Sequence, residues 1–182
     1  SLDMSSLVGI AALTEVVDHL VEKLGASVIL IPHDTDPLLD DRHVCSEIIR
    51  RTKHPTMVKL VDGDCSASDL KAVIGRCDLF VGGKMHANIA ALSMRVPTLG
   101  IAYHHKFSGI MGLLGQEKRV CTDLNPDELK QGIDSLWLQR EGTRVRVPER
   151  IGALETLARE NARLLASLVQ LNASGEAWSQ QR

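Results

Sequence analysis

Lys84 and His86, set directly after Gly82-Gly83, are the residues whose types and spacing point most clearly to chemistry. They follow the apolar run Leu79-Phe80-Val81 and open an alanine-rich stretch. Glycines allow a tight turn and a close backbone approach to a ligand. The start of a helix offers free N–H groups and the positive end of its dipole. An ammonium and an imidazole at that place make an anion pocket suited to a phosphate or a carboxylate. The plain alternative is a strand, a turn and a helix with a solvated lysine and a capping histidine, because the GxxxxGKS pattern is absent. A second polar group, Tyr103-His104-His105-Lys106, follows the buried-looking run VPTLGIA at 96–102. If that run is a strand beside the one ending at Gly82-Gly83, two cationic loops share one crevice. The alternative there is a solvated polar loop.

Other polar clusters read more plainly. Asp34, Asp36, Asp40 and Asp41 are expected to be turn formers and helix N-terminal acids. His33 is better placed, at the end of the run SVILIP, and is a candidate ligand contact. Asp62-Gly63-Asp64 is a turn signal first. His19 and His54 are expected to be structural. The adjacent His104-His105 does not have metal-ligand spacing, so no metal is expected. No Gly-x-Ser-x-Gly elbow occurs, which argues against a serine nucleophile.

These residues need elements to hold them. Leu7, Ile10, Leu13, Val17, Leu20, Val21 and Leu24 have helical spacing, and Gly25 is a stop signal. SVILIP, TMVKLVD (56–62), DLFVGG (78–83), VPTLGIA and the short RVCT read as strands, the first of them buried on both faces as in a parallel sheet. Helices are expected over 40–53, from the Ser66/Asp69 capping box to Ile74, over 85–94, and from Asn125-Pro126 to about Trp137. The segment 103–117 has room for one or two helical turns. Alternation of this kind predicts an α/β fold: a doubly wound parallel sheet with a long C-terminal helix. Ligands on such sheets bind beyond the carboxyl ends of the strands, which selects the loops 32–38, 62–68, 82–86 and 102–108. Residues 1–139 read as one ligand-binding domain. Residues 140–182 read as the charged linker EGTRVRVPER, a helix over 149–172 with one apolar stripe, and a frayed tail.

Composition narrows the function. Twenty-one Lys+Arg against 23 Asp+Glu give a net charge of −2, which argues against a nucleic-acid binder working by bulk charge. Two Trp, one Tyr and two Phe are too few for stacking platforms. No apolar run reaches the length of a membrane span. The four cysteines are spaced too widely for a CxxC site and read as free thiols in a reducing compartment.

VGGKMHANIAALSMRVPTLGIAYHHK, residues 81–106, resembles the signature of the polysaccharide pyruvyl transferase family. That signature is a strand ending in glycine, Arg-Leu-His-Ala, an alanine-rich helix, a Val-Pro strand and a Tyr-x-x-Lys loop. The likeness extends more weakly over 7–138. It implies one Rossmann-like half of a GT-B-type architecture. It also implies transfer of the enolpyruvyl unit of phosphoenolpyruvate to a sugar, with ketal closure and phosphate release. Phosphoenolpyruvate would be a co-substrate, with no separate cofactor. The resemblance makes His86 the candidate general acid and phosphate ligand. It makes Lys84, Tyr103 and Lys106 donor contacts; Gly82, Gly83 and His105 in the same two loops are further candidate substrate contacts, and His33, from its place at a strand end, is a candidate to face the acceptor. Lys84 departs from the family's Arg and lacks its bidentate fork.

Several expectations follow about the surroundings. The chain reads as a C-terminal half whose N-terminal Rossmann-like half was cut away or belongs to another chain. The helix over 149–172 would turn its apolar stripe to that missing partner. The partners are a small-molecule donor and a sugar acceptor, with no nucleic acid. The place is the cytoplasm, with peripheral contact at the inner face of the membrane. Two other readings remain: a nucleotide-sugar-binding domain of a GT-B-type glycosyltransferase, and a non-catalytic Rossmann-like assembly module.

Overall fold

The computed structural model describes residues 4–34, 36, 40–101 and 105–174, with the backbone alone at 105–108 and 171–174. The elements alternate as the pattern predicts: α1 Leu7–Leu24, β1 Val28–Leu30, α2 Asp41–Arg51, β2 Val58–Leu60, α3 Ala67–Ile74, β3 Phe80–Gly82, α4 Met85–Ser93, β4 Thr98–Ile101, α5 His105–Leu113, β5 Val120–Cys121, α6 Pro126–Leu138 and α7 Arg140–Ser174.

The local signals behave as expected. Ser6 caps α1 at Gly9 N, and Gly25 closes it in the left-handed region at φ 64°. Ser66 and Asp69 form a reciprocal capping box on α3. Asn125 accepts from Asp127 N and Glu128 N, with Pro126 in the first turn of α6.

Every strand pairing is parallel, but the expected single sheet is divided. β1 pairs with β2, and β3–β4–β5 form a second sheet. β1 and β3 have three residues each, so a ladder between them would hold few bonds. A cavity of about 1190 Å³ lies along both strands instead, with α1 residues such as Leu13 and Val17 in its wall. α1 spans the break. Val16 packs with Leu99, Ile101 and α6 residues Leu129, Ile133 and Leu136, whereas Ile10 and Val17 pack with Ile48 and Val58. Charges reinforce the seam between α1 and α6. Asp134 meets His19 Nε2 at 2.9 Å and Lys23 Nζ at 2.6 Å, and Lys130 Nζ lies 2.8 Å from Glu15. His54 Nε2 lies 3.1 Å from Glu22, so both histidines read as structural make structural contacts. The opposite face of the larger sheet carries Leu92, Met111, Leu114 and Val147.

The linker EGTRVRVPER expected at 141–150 is helix. α7 begins at Arg140 and runs through Pro148. Proline removes one backbone donor and disfavours helical geometry before it. Packing outweighs this here: Val147 is buried, and Ile151 and Leu154 join its cluster. Arg140 stacks over the Trp137 ring at 4.1 Å, and Arg144 reaches Asp78 at 3.2 Å. Beyond Leu154 the helix leaves the body, and residues 155–170 are all exposed. No described helix is long and apolar enough to cross a membrane. All four cysteines are free.

Candidate functional site

The larger sheet explains why the 82–86 segment is the focus. Gly82 is in register with Gly100, so the chain leaving β3 lies beside the chain leaving β4. The two polar loops singled out in the sequence therefore start from adjacent strand ends. Tyr103 and His104 lie outside the described residues. His105 and Lys106 open α5, and their side chains lie outside the described part as well.

Gly82 and Gly83 are required for space rather than for backbone handedness, since neither has positive φ. A Cβ on Gly82 would sit 2.5 Å from the Phe80 ring and 3.2 Å from Asn88 Nδ2. One on Gly83 would meet Met4 Cε at 2.6 Å and Ile101 O at 3.8 Å. Met4 presents the end of an unbranched thioether chain, whereas the stiffer Phe80 ring packs against Ile74, Ala91 and Val96. Gly82→Ala should therefore cost about 1–3 kcal/mol of stability, and Gly83→Ala clearly less. Thermal unfolding of the two variants side by side checks the order.

Lys84 takes the N-cap position of α4, and no side chain caps the helix. The amides of its first turn are left for solvent or a ligand. The lysine itself is engaged. Its Nζ lies 3.6 Å from Asp34 and 3.7 Å from Asp41. Asp41 also accepts from His33 N at 3.1 Å and Asp34 N at 2.9 Å. Asp40 caps α2 by accepting from Arg42 N. The aspartates are turn and helix-start acids, as expected. Two of them also supply a counter-charge to Lys84, which sequence spacing does not show.

His33, Asp34, Asp41, Lys84, Gly82 and Gly83 all line the cavity between β1 and β3. Burial pushes the His33 imidazole below its ordinary value; nearby Asp41 opposes this and Lys84 adds to it. His33 Nε2 is shielded and has no partner among the described residues. The cluster thus holds one ammonium, two carboxylates and an imidazole biased to its neutral form. His86 stands apart. It is the second residue of α4, is exposed, and does not line the cavity.

One residue of the turn was missed in the sequence. Asn88 is 1% exposed, and its Nδ2 donates to Gly82 O at 2.9 Å and Lys84 O at 2.8 Å. The available signal was a lone amide among small apolar residues, four positions after Lys84, where a helix interior disfavours it. Among the described residues, no three His, Cys, Asp or Glu come together as a metal site.

A family model described as polysaccharide pyruvyl transferase matches residues 9–105, more than half of the chain. No solved structure matches it.

Proposed function

Since the chain belongs to the polysaccharide pyruvyl transferase family, we propose that it carries the donor side of a transferase. The reaction moves the pyruvyl unit of phosphoenolpyruvate onto a sugar of a cell-envelope polysaccharide or its precursor. The observation that carries this reading is the family match, which takes in the whole Gly82–His86 turn. The uncapped start of α4 and the neighbouring ammonium support it.

The chemistry needs three things from the protein. The donor's phosphate and carboxylate must be held, a task suited to the first-turn amides of α4 and to Lys84. A proton must reach the methylene carbon of the enol phosphate, which leaves the adjacent carbon electron-poor. Imidazole suits that transfer near neutral pH, and His86 is the candidate. An acceptor hydroxyl then attacks that carbon and returns a proton to the base, the C–O bond to phosphate breaks, and a second hydroxyl closes the ketal as its proton passes to the departing phosphate. Lys84 is shared between the donor and the two aspartates, so the local field is less cationic than the sequence suggests. Tyr103, His105 and Lys106 are further donor contacts on this reading, and His33 faces the acceptor. The cleft is completed by a second Rossmann-like half, as in GT-B-type enzymes.

Titration of the ¹⁵N-labelled chain with phosphoenolpyruvate tests the proposal. Amide shifts concentrated at 82–87 are expected. Shifts with a uridine nucleotide but none with phosphoenolpyruvate would transfer the chain to the glycosyltransferase reading. Silence toward both would leave a binding or assembly role.

A further inference from the structure

We propose that Asn88 is the positioning residue of the donor pocket: it clamps the Gly82–Lys84 turn so that backbone N–H groups face the ligand. The proposal rests on the reading of that turn as the donor site. Asn88 Nδ2 binds the carbonyls of Gly82 and Lys84 together, at 2.9 and 2.8 Å. In a trans peptide the C=O and the next N–H point in opposite directions. Pulling both carbonyls toward one buried amide therefore turns the N–H groups of Gly83 and Met85 the other way, out of the buried face.

The rest of the residue's surroundings fit a clamp better than a packing role. Ala87, Ala91 and Leu92 form the buried face of α4 around it. An aliphatic side chain would fill this space without hydrogen-bonding needs. Asn88 Oδ1 instead lies buried with no partner among the described residues. A buried acceptor left unpaired is unfavourable. An asparagine at this cost fits a site that uses the NH₂ half of the amide. The absence of a Cβ at Gly82 belongs to the same device, since that atom would crowd Asn88 Nδ2.

The test uses Asn88→Asp and Asn88→Ala in the whole chain. Asp is isosteric, but its carboxylate faces two carbonyl oxygens and donates nothing. Its protonated form can donate once, and burial favours that form. Phosphoenolpyruvate binding by Asn88→Asp should be weakened about tenfold or more at roughly pH 7.5, and should recover toward wild type near pH 5. Asn88→Ala should be weakened at both. Hydrogen exchange at 88–91, the first hydrogen-bonded amides of α4, should quicken in both variants at the higher pH. A merely structural asparagine predicts wild-type phosphoenolpyruvate affinity at the higher pH in the fraction of Asn88→Asp that is folded, and that result would overturn the proposal. So would unchanged exchange at 88–91, a readout that needs no ligand. If wild type fails to bind phosphoenolpyruvate while exchange quickens as expected, the donor assignment fails and the clamp stands.

Discussion

Replacing His86 with alanine is expected to slow turnover of phosphoenolpyruvate about 10²–10⁴-fold. The side chain is exposed at the second position of α4, so its loss opens no hole in the core. Stability should stay within about 0.5 kcal/mol of wild type, as for surface changes generally. The donor's Michaelis constant should change little if the imidazole serves mainly in proton transfer. Phosphate release assayed with acceptor present checks the rate, and a fall of less than about threefold removes His86 from the chemistry. The outcome is sharp because His86 does not line the cavity that takes in Lys84. If the two residues serve one ligand, they do so from the rim: Lys84 from the cavity side and His86 from the outer face of the helix start.

The second large effect is at Lys84. Lys84→Ala should raise the donor's Michaelis constant roughly 10–100-fold, the scale of one or two charge-assisted hydrogen bonds. The cause has two parts. A cation facing the donor is lost, and Asp34 and Asp41 are left without the ammonium that lies 3.6 and 3.7 Å from them. Those carboxylates would then repel an anionic ligand. Lys84→Arg should preserve donor binding or tighten it, since a guanidinium can fork to a carboxylate or phosphate while still facing an aspartate. Steady-state kinetics over a donor range separates the variants. An unchanged constant in Lys84→Ala would contradict an anion pocket at this turn.

Much of the frame can be read along the chain because it is set by local rules. α1 ends at Gly25, α3 starts at its capping box, and α6 starts at Asn125-Pro126, as the residue types dictate. What fails is what depends on distant packing. Pro148 and four nearby arginines look like a linker. Helix survives there because Val147, Ile151 and Leu154 find Leu92, Met111 and Leu114 across the fold. The break between β1 and β3 is also invisible in periodicity, since both strands carry the apolar residues of a continuous sheet. The site shows the same division. Gly82, Gly83, Lys84 and His33 are legible as residues at strand ends, and the structure gathers them at one cavity. The pairing of Lys84 with Asp34 and Asp41 joins segments about fifty residues apart, so no spacing rule reveals it. Asn88 escaped because a helical asparagine is ordinarily read as a surface residue or a weak spot, and its two carbonyl acceptors are fixed only by the tertiary turn.

The outer turns of α7 have a thermal consequence. Residues 155–170 make a rod roughly 24 Å long at 1.5 Å per residue, with no neighbouring element over it. Isolated helices of this length are marginal in water because starting one is costly. The anchored turns around Val147 and Ile151 supply that start, so the rod persists as an extension of a nucleus it does not contain. Warming should unwind it from the far tip inward, ahead of the main transition. Circular dichroism at 222 nm would slope well before a tertiary probe at Trp137 moves, and a single melting temperature would misdescribe the molecule.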